Sequence, residues 1–80
     1  MKREVTMPRF SPEMQSGILC AWLKREGEPV RKGDPLVEVE TEKVVSQVEA
    51  EADGRLAHLL ADEGDEVPVD AAVAVMETNE

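Results

Sequence analysis

One lysine in this 80-residue chain has a setting that could be chemical and not merely solvated. Lys43 follows Glu40, Thr41 and Glu42 and precedes Val44, in a charged connection between two runs, 36–40 and 44–49, that read as strands. An amine at or next to a hairpin tip is what an enzyme attaching an acyl group needs. The amine must project clear of the protein body, and whatever is attached must then reach into another protein's pocket. Amide formation would remove the lysine charge and leave Glu40 and Glu42 as an acidic signature for a partner to read. Other groups promise less. Cys20 is the single cysteine, lies in an apolar run and reads as a small core or half-buried residue. His58 has neither a companion cysteine nor a second histidine, so no metal set is expected. A Ser–His nucleophile would need a pocket that so short a chain hardly provides. Gly17, Gly27, Gly33, Gly54 and Gly64 are too far apart to cradle a phosphate and read as turn residues. The chain by itself is expected to carry no catalysis.

The elements that must position Lys43 are short. Glycine and proline recur at close intervals and several intervening segments carry β-branched residues, which predicts strands at 4–7, 17–23, around 30, 36–40, 44–49, 55–60, around 67 and 72–76. Alternation at 36–40 places Val37 and Val39 on one face. Residues 56–61 are also helix-compatible in composition; the flanking Gly54 and Gly64, and a repeat, favour strand. That repeat has a period of 37 residues. Gly17, Leu19, Leu23, Glu26, Gly27, Val30, Glu40 and Thr41 recur as Gly54, Leu56, Leu60, Glu63, Gly64, Val67, Glu77 and Thr78. One half-domain used twice, with neither half able to bury its apolar face alone, predicts two sheets packed about a pseudo-twofold axis. The copies diverge after Glu40-Thr41, where the first continues through Glu42-Lys43. That turn has no Gly or Asn, so a type I geometry is expected.

Length and composition bound the rest. Eighty residues make one small domain, with a core expected over about 4–77 and a linker beginning at 78–80. Eighteen acidic against nine basic residues, net −9, argue against binding nucleic acid, as do aromatics limited to Phe10 and Trp22. No apolar run approaches membrane-spanning length and the start lacks a signal-like core, so a soluble intracellular protein is expected. Met7, Met14 and Met76 read as gap-filling core or loop residues.

These residues carry a family resemblance. Glu40-Thr41-Glu42-Lys43-Val44 resembles the Glu-Thr-Asp-Lys-Ala/Val hairpin of lipoyl domains in the acyltransferase components of 2-oxo acid dehydrogenase complexes. Met7-Pro8, Ser11-Pro12-Glu13-Met14, Gly17-Ile18 and Trp22-Leu23-Lys24 are similar to that family's opening strand, loop and second strand. The stretch from Glu26-Gly27 to Leu36 and the run Glu63-Gly64-Asp65-Glu66-Val67 resemble its turns. Glu42 in place of the commoner Asp, and Asp53-Gly54 and Ala71-Ala72 where other pairs are frequent, are the departures. The resemblance implies an all-β fold, a flattened barrel or sandwich of two four-stranded antiparallel sheets, with the lysine hairpin on one sheet and the termini on the other. It implies lipoate covalently attached to Lys43, with Glu40, Thr41, Glu42 and Val44 as the hairpin that a lipoate ligase or lipoyl transferase reads. It further implies an arm serving a thiamin-dependent 2-oxo acid decarboxylase, an acyltransferase core with coenzyme A, and dihydrolipoamide dehydrogenase. The parent chain would be a dihydrolipoamide acyltransferase, pyruvate-type by its Ser11–Met14 loop, cytoplasmic in a bacterium or in the mitochondrial matrix of a eukaryote, and the isolated domain a monomer. The loop 9–16 is expected beside the hairpin, helping to select the decarboxylase. Two alternatives stand beside this reading. A biotinyl carrier shares the fold but has Met on both sides of its lysine, where Glu42 and Val44 stand here; an unmodified β-module would serve as a protein-binding or spacer unit.

Overall fold

The computed structural model describes residues 1–42 and 44–78, and the Lys43 expectation therefore lies outside the described residues. Eight strands run in chain order: β1 (Lys2–Thr6), β2 (Ser16–Trp22), β3 (Pro29–Val30), β4 (Pro35–Thr41), β5 (Val44–Glu49), β6 (Gly54–Leu59), β7 (Glu66–Pro68) and β8 (Ala72–Thr78). They form two four-stranded antiparallel sheets, ordered β5-β4-β2-β7 and β1-β8-β6-β3. The architecture is a flattened sandwich and not a closed barrel. The ambiguous segment at 56–61 is strand as far as Leu59, where β6 ends, and contains no helix. Two ends extend two residues beyond expectation: β1 starts at Lys2, and β8 runs to Thr78, a residue expected in a linker. Thr78 is buried because its N–H and Oγ1 both donate to the Met1 carbonyl, at 2.7 and 3.0 Å.

The 37-residue repeat is written into the hydrogen bonds. β2, β3 and β4 of the first half correspond to β6, β7 and β8 of the second. The halves interlock by exchanging their short strands, since β7 pairs with β2 and β3 pairs with β6. Leu19 N–H donates to Asp65 O and Leu56 N–H to Glu28 O; Gly64 N–H donates to Leu19 O and Gly27 N–H to Leu56 O. β-Bulges also come in pairs. Cys20 is the extra residue opposite Val39 and Glu38, and Ala57 is its counterpart opposite Met76 and Val75. At each bulge the carboxylate of the other half's turn supplies an acceptor: Trp22 N–H donates to Glu63 Oε2 at 2.9 Å, and Leu59 N–H to Glu26 Oε2 at 2.8 Å. These bonds satisfy amides that the bulge removes from the ladder. Glu26→Ala and Glu63→Ala are expected to lower the melting temperature by a few degrees each and by similar amounts, which paired thermal melts check.

The core obeys the same symmetry. Leu19 and Leu56, Val30 and Val67, Leu36 and Val73, Val37 and Ala74, and Val39 and Met76 are all buried, with Met7, Met14, Val48 and Ala50 completing the cluster. A bulge at Leu36 lets both Leu36 and Val37 face inward, which simple alternation would forbid.

The glycines divide in two. Gly27, Gly33 and Gly64 occupy turns with φ of 87°, 92° and 94°. Asp70, the counterpart of Gly33, holds φ 74°, a conformation that aspartate tolerates better than most residues. Gly17 and Gly54 lie in strands, contrary to their reading as turn residues, and the reason is crowding. A Cβ on Gly17 would stand 2.5 Å from Val39 Cγ1, and one on Gly54 would overlap the Glu77 carbonyl oxygen.

Candidate functional site

The β4–β5 hairpin is fixed from below. Val37 pairs with Val48, Val39 with Ser46, Glu40 with Val45 and Thr41 with Val44. Val37, Val39 and Val48 anchor its inner face in the core, while Glu40, Val45 and Gln47 stand on the outer face and are exposed. The Thr41–Val44 pair leaves two residues in the connection, of which Glu42 is described. Glu42 has φ 41°, in the left-handed region, so the expected type I turn is corrected: its first central residue would need φ near −60°. Strand twist overrides residue preference here, because a two-residue connection matches right-twisted strands when it is of the primed family. A non-glycine residue there costs about 1–2 kcal/mol.

Beside the hairpin lies the loop joining β1 to β2, as expected. It is pinned at several points. Met14 is buried beneath it, and its amide donates to Ser11 O at 3.1 Å. Arg9 Nη1 donates to the carbonyls of Pro12 and Met14. Phe10 N–H points at Met14 Sδ, and Val69 N–H donates to Gln15 O. Between loop and hairpin runs a shallow groove, with Phe10 and Met14 on one side, Glu40, Thr41, Glu42 and Val44 on the other, and Gly17 and Ile18 along its floor. Glu13 and Glu66 complete its rim, and no lysine or arginine among the described residues lines it. Ser16 Oγ donates to Glu66 Oε2 at 2.6 Å.

Charge breaks the symmetry that packing keeps. Lys24, Arg25, Arg31 and Lys32 of the first half correspond to Ala61, Asp62, Pro68 and Val69 of the second. Of these counterparts Pro68 and Val69 lie beside the loop and hairpin, since Pro68 pairs with Ser16 and Asp70 N–H donates to Met7 O, whereas Ala61 and Asp62 lie by Trp22, whose Nε1 donates to Ala61 O. The first half's turn lies near β1 and the end of β8 instead: Lys32 N–H donates to Asp53, whose neighbour Gly54 pairs with Thr78. Its Glu28 carboxyl is held below the usual carboxylate range by the Arg25 amide and then by Lys24, whose ammonium lies 3.5 Å away. The hairpin end is therefore acidic and the opposite end mixed.

Sequence reasoning placed Glu40, Thr41, Glu42 and Val44 together; Thr41 and Val44 flank the turn that holds Glu42, and Glu40 stands in the next pair, opposite Val45. It missed Phe10 and Ile18 as apolar residues of the groove. Ile18 could have been found from alternation, since it points opposite to Gly17 and Leu19. Cys20 is exposed, correcting its half-buried reading: as the extra residue of a bulge it leaves the inward position to Leu19. His58 is exposed, and no group of three potential metal ligands occurs among the described residues.

Comparison with known proteins gives the family. A family model described as "Biotin-requiring enzyme" matches residues 3–76. The chain is 42% identical over 77 residues to the dihydrolipoyllysine-residue acetyltransferase component of the pyruvate dehydrogenase complex of Rhizobium meliloti, covering 95% of this chain and 17% of that protein. It is 44% identical over 73 residues to the dihydrolipoyllysine-residue succinyltransferase component of the 2-oxoglutarate dehydrogenase complex of Staphylococcus saprophyticus, covering 91% and 17%. The chain thus spans about a sixth of the length of these relatives. Among solved structures it superposes with a TM-score of 0.77 and 32% identity on the lipoyl domain of the 2-oxoglutarate dehydrogenase complex from Azotobacter vinelandii, covering 96% of this chain and 98% of that one. A long-chain acyl-CoA carboxylase shares the fold at TM-score 0.84 and 18% identity, over 7% of its length. The chain belongs to the biotinyl/lipoyl-attachment family, as a lipoyl domain of the kind found in the acyltransferase components of 2-oxo acid dehydrogenase complexes.

Proposed function

We propose that Lys43 is the attachment point for lipoate and that the domain carries acyl groups between the decarboxylase, acyltransferase and dihydrolipoamide dehydrogenase sites of a pyruvate-type complex. The observation that carries this reading is the hairpin itself. Thr41 pairs with Val44, Glu42 is exposed and Val44 is 59% exposed, so both chain neighbours of Lys43 face solvent. That arrangement fits attachment, because an attaching enzyme approaches the turn without meeting the sandwich. When bound, the lipoyl dithiolane supplies a disulfide that takes up an acyl group together with two electrons.

The chain's own residues present the arm and do no acid–base work. Val37, Val39 and Val48 hold the hairpin against the core, so the turn keeps one orientation. Glu40 and Glu42 mark it with negative charge once the lysine is amidated. Tethering makes each encounter with a partner site intramolecular, which raises effective concentration without any new contact. The pinned loop 9–16 stands where a decarboxylase gripping the hairpin would touch it. In the lipoylated domain, replacing residues 9–16 with the loop of a 2-oxoglutarate-type domain is expected to cut reductive acylation by a pyruvate-type decarboxylase about tenfold, a difference of ~1.4 kcal/mol. An unchanged rate would make the loop a connector and remove the pyruvate-type assignment.

A further inference from the structure

The groove beside the hairpin has features that presentation of a lysine does not require. The exposed large hydrophobics among the described residues are Met1, Phe10, Ile18, Leu23, Val44, Val45 and Leu60, and three of these seven, Phe10, Ile18 and Val44, line this one groove. Val45 adjoins it through Glu40, which pairs with both Ile18 and Val45. Apolar side chains are thus gathered at the acidic end of the molecule, in a cleft rimmed by Glu13, Glu40, Glu42 and Glu66.

That combination selects its occupant. Four carboxylates with no lysine or arginine among the described lining residues disfavour an anionic ligand, while a neutral apolar group incurs no such repulsion and gains the contact of Phe10 and Ile18. Both chain neighbours of Lys43 form one wall. A group carried on that residue is covalently held next to the groove, at an effective concentration no free ligand matches. The walls are also stiff: Met14 is buried, Arg9 clamps two loop carbonyls, and the hairpin rests on Val37 and Val39. A preformed cleft loses little freedom when occupied.

We propose that this groove is a berth for the apolar end of the lipoyl arm on its own domain. Between transfers the dithiolane is shielded there, and a partner enzyme must draw it out. The inference rests on the proposed lipoylation of Lys43. Isotope-labelled domain is prepared unmodified and lipoylated, with intact mass and peptide mapping establishing the adduct first, and amide chemical shifts are compared. The expected result is that Phe10, Met14, Ile18 and Ser46 shift along with the hairpin. In Phe10→Ser/Ile18→Ser only the hairpin responds. In a second readout, a small phosphine reduces the dithiolane roughly threefold to tenfold more slowly in the wild type than in that double variant. An adduct on Lys43 with shifts confined to 41–45 and equal reduction rates would overturn the berth and leave the lipoylation reading standing. Failure to form the adduct would overturn both. Loop shifts that arise only when a decarboxylase is added would assign the groove to that protein instead of to the arm.

Discussion

Gly54→Ala is expected to destabilise the domain by about 3 kcal/mol or more, lowering its melting temperature by roughly 12–24 °C for a chain of this size. The atoms a new Cβ would meet are all backbone. It would overlap Glu77 O and stand 2.8 Å from Thr78 Cα and 3.0 Å from Glu77 C, inside the β6–β8 pairing where Gly54 faces Thr78. No side chain can rotate away, so relief requires parting two central strands of one sheet. The repeat supplies an internal control. Gly17→Ala places its Cβ against Val39 Cγ1 at 2.5 Å, Met14 Cε at 3.2 Å and Met7 Sδ at 3.4 Å, all side-chain ends, two of them flexible methionines. Its cost is expected to be about 1–2 kcal/mol. Melting followed by circular dichroism checks both. A Gly54 variant within a few degrees of wild type, or a Gly17 variant the worse of the two, would contradict the packing described here.

Those two glycines show where sequence reading stops. The 37-residue repeat was legible because apolar positions recur in register, and the five buried pairs from Leu19–Leu56 to Val39–Met76 follow from it. Strand existence was legible for the same reason. What pattern could not supply is anything set by contact across the sandwich. Gly17 and Gly54 look like turn glycines until the opposing strand is known. A bulge shifts alternation by one residue without leaving a compositional mark, so Cys20 was read as a small core or half-buried residue, and alternation at 36–40 alone could not turn Leu36 to the same face as Val37. The turn type failed because residue preference at Glu42 is weaker than the twist of the strands it joins. The hairpin residues Glu40 to Val44 were found by the break in the repeat and by family resemblance. Phe10 and Ile18 were missed as a pair because the groove exists only once a loop folds against a different hairpin.

Moving the lysine by one residue is expected to reduce lipoylation on the order of 100-fold while leaving the fold intact. The variants are Lys43→Glu with Glu42→Lys, and Lys43→Val with Val44→Lys, each conserving composition. Position 42 adopts φ 41° and position 44 already belongs to β5, paired with Thr41, and successive residues of a strand or tight turn aim their side chains differently, so a one-residue move re-aims the amine. The core under the hairpin is untouched, and melting temperatures should stay within a few degrees of wild type. Rates equal to wild type would show that the attaching enzyme needs an exposed lysine and no particular hairpin geometry.

Lipoate is proposed to be carried by this domain, and on Lys43. Side-by-side incubation with lipoate ligase, ATP and lipoate, and with biotin protein ligase, ATP and biotin, followed by intact mass and peptide mapping, tests it most directly. One lipoyl adduct is expected, on the peptide containing Lys43 and absent from Lys43→Arg, and no biotin adduct, since Glu42 and Val44 present charge and branching where biotinyl carriers present methionine. A lipoyl adduct on Lys24 or Lys32, its persistence in Lys43→Arg, or strong biotinylation of the wild type would contradict it.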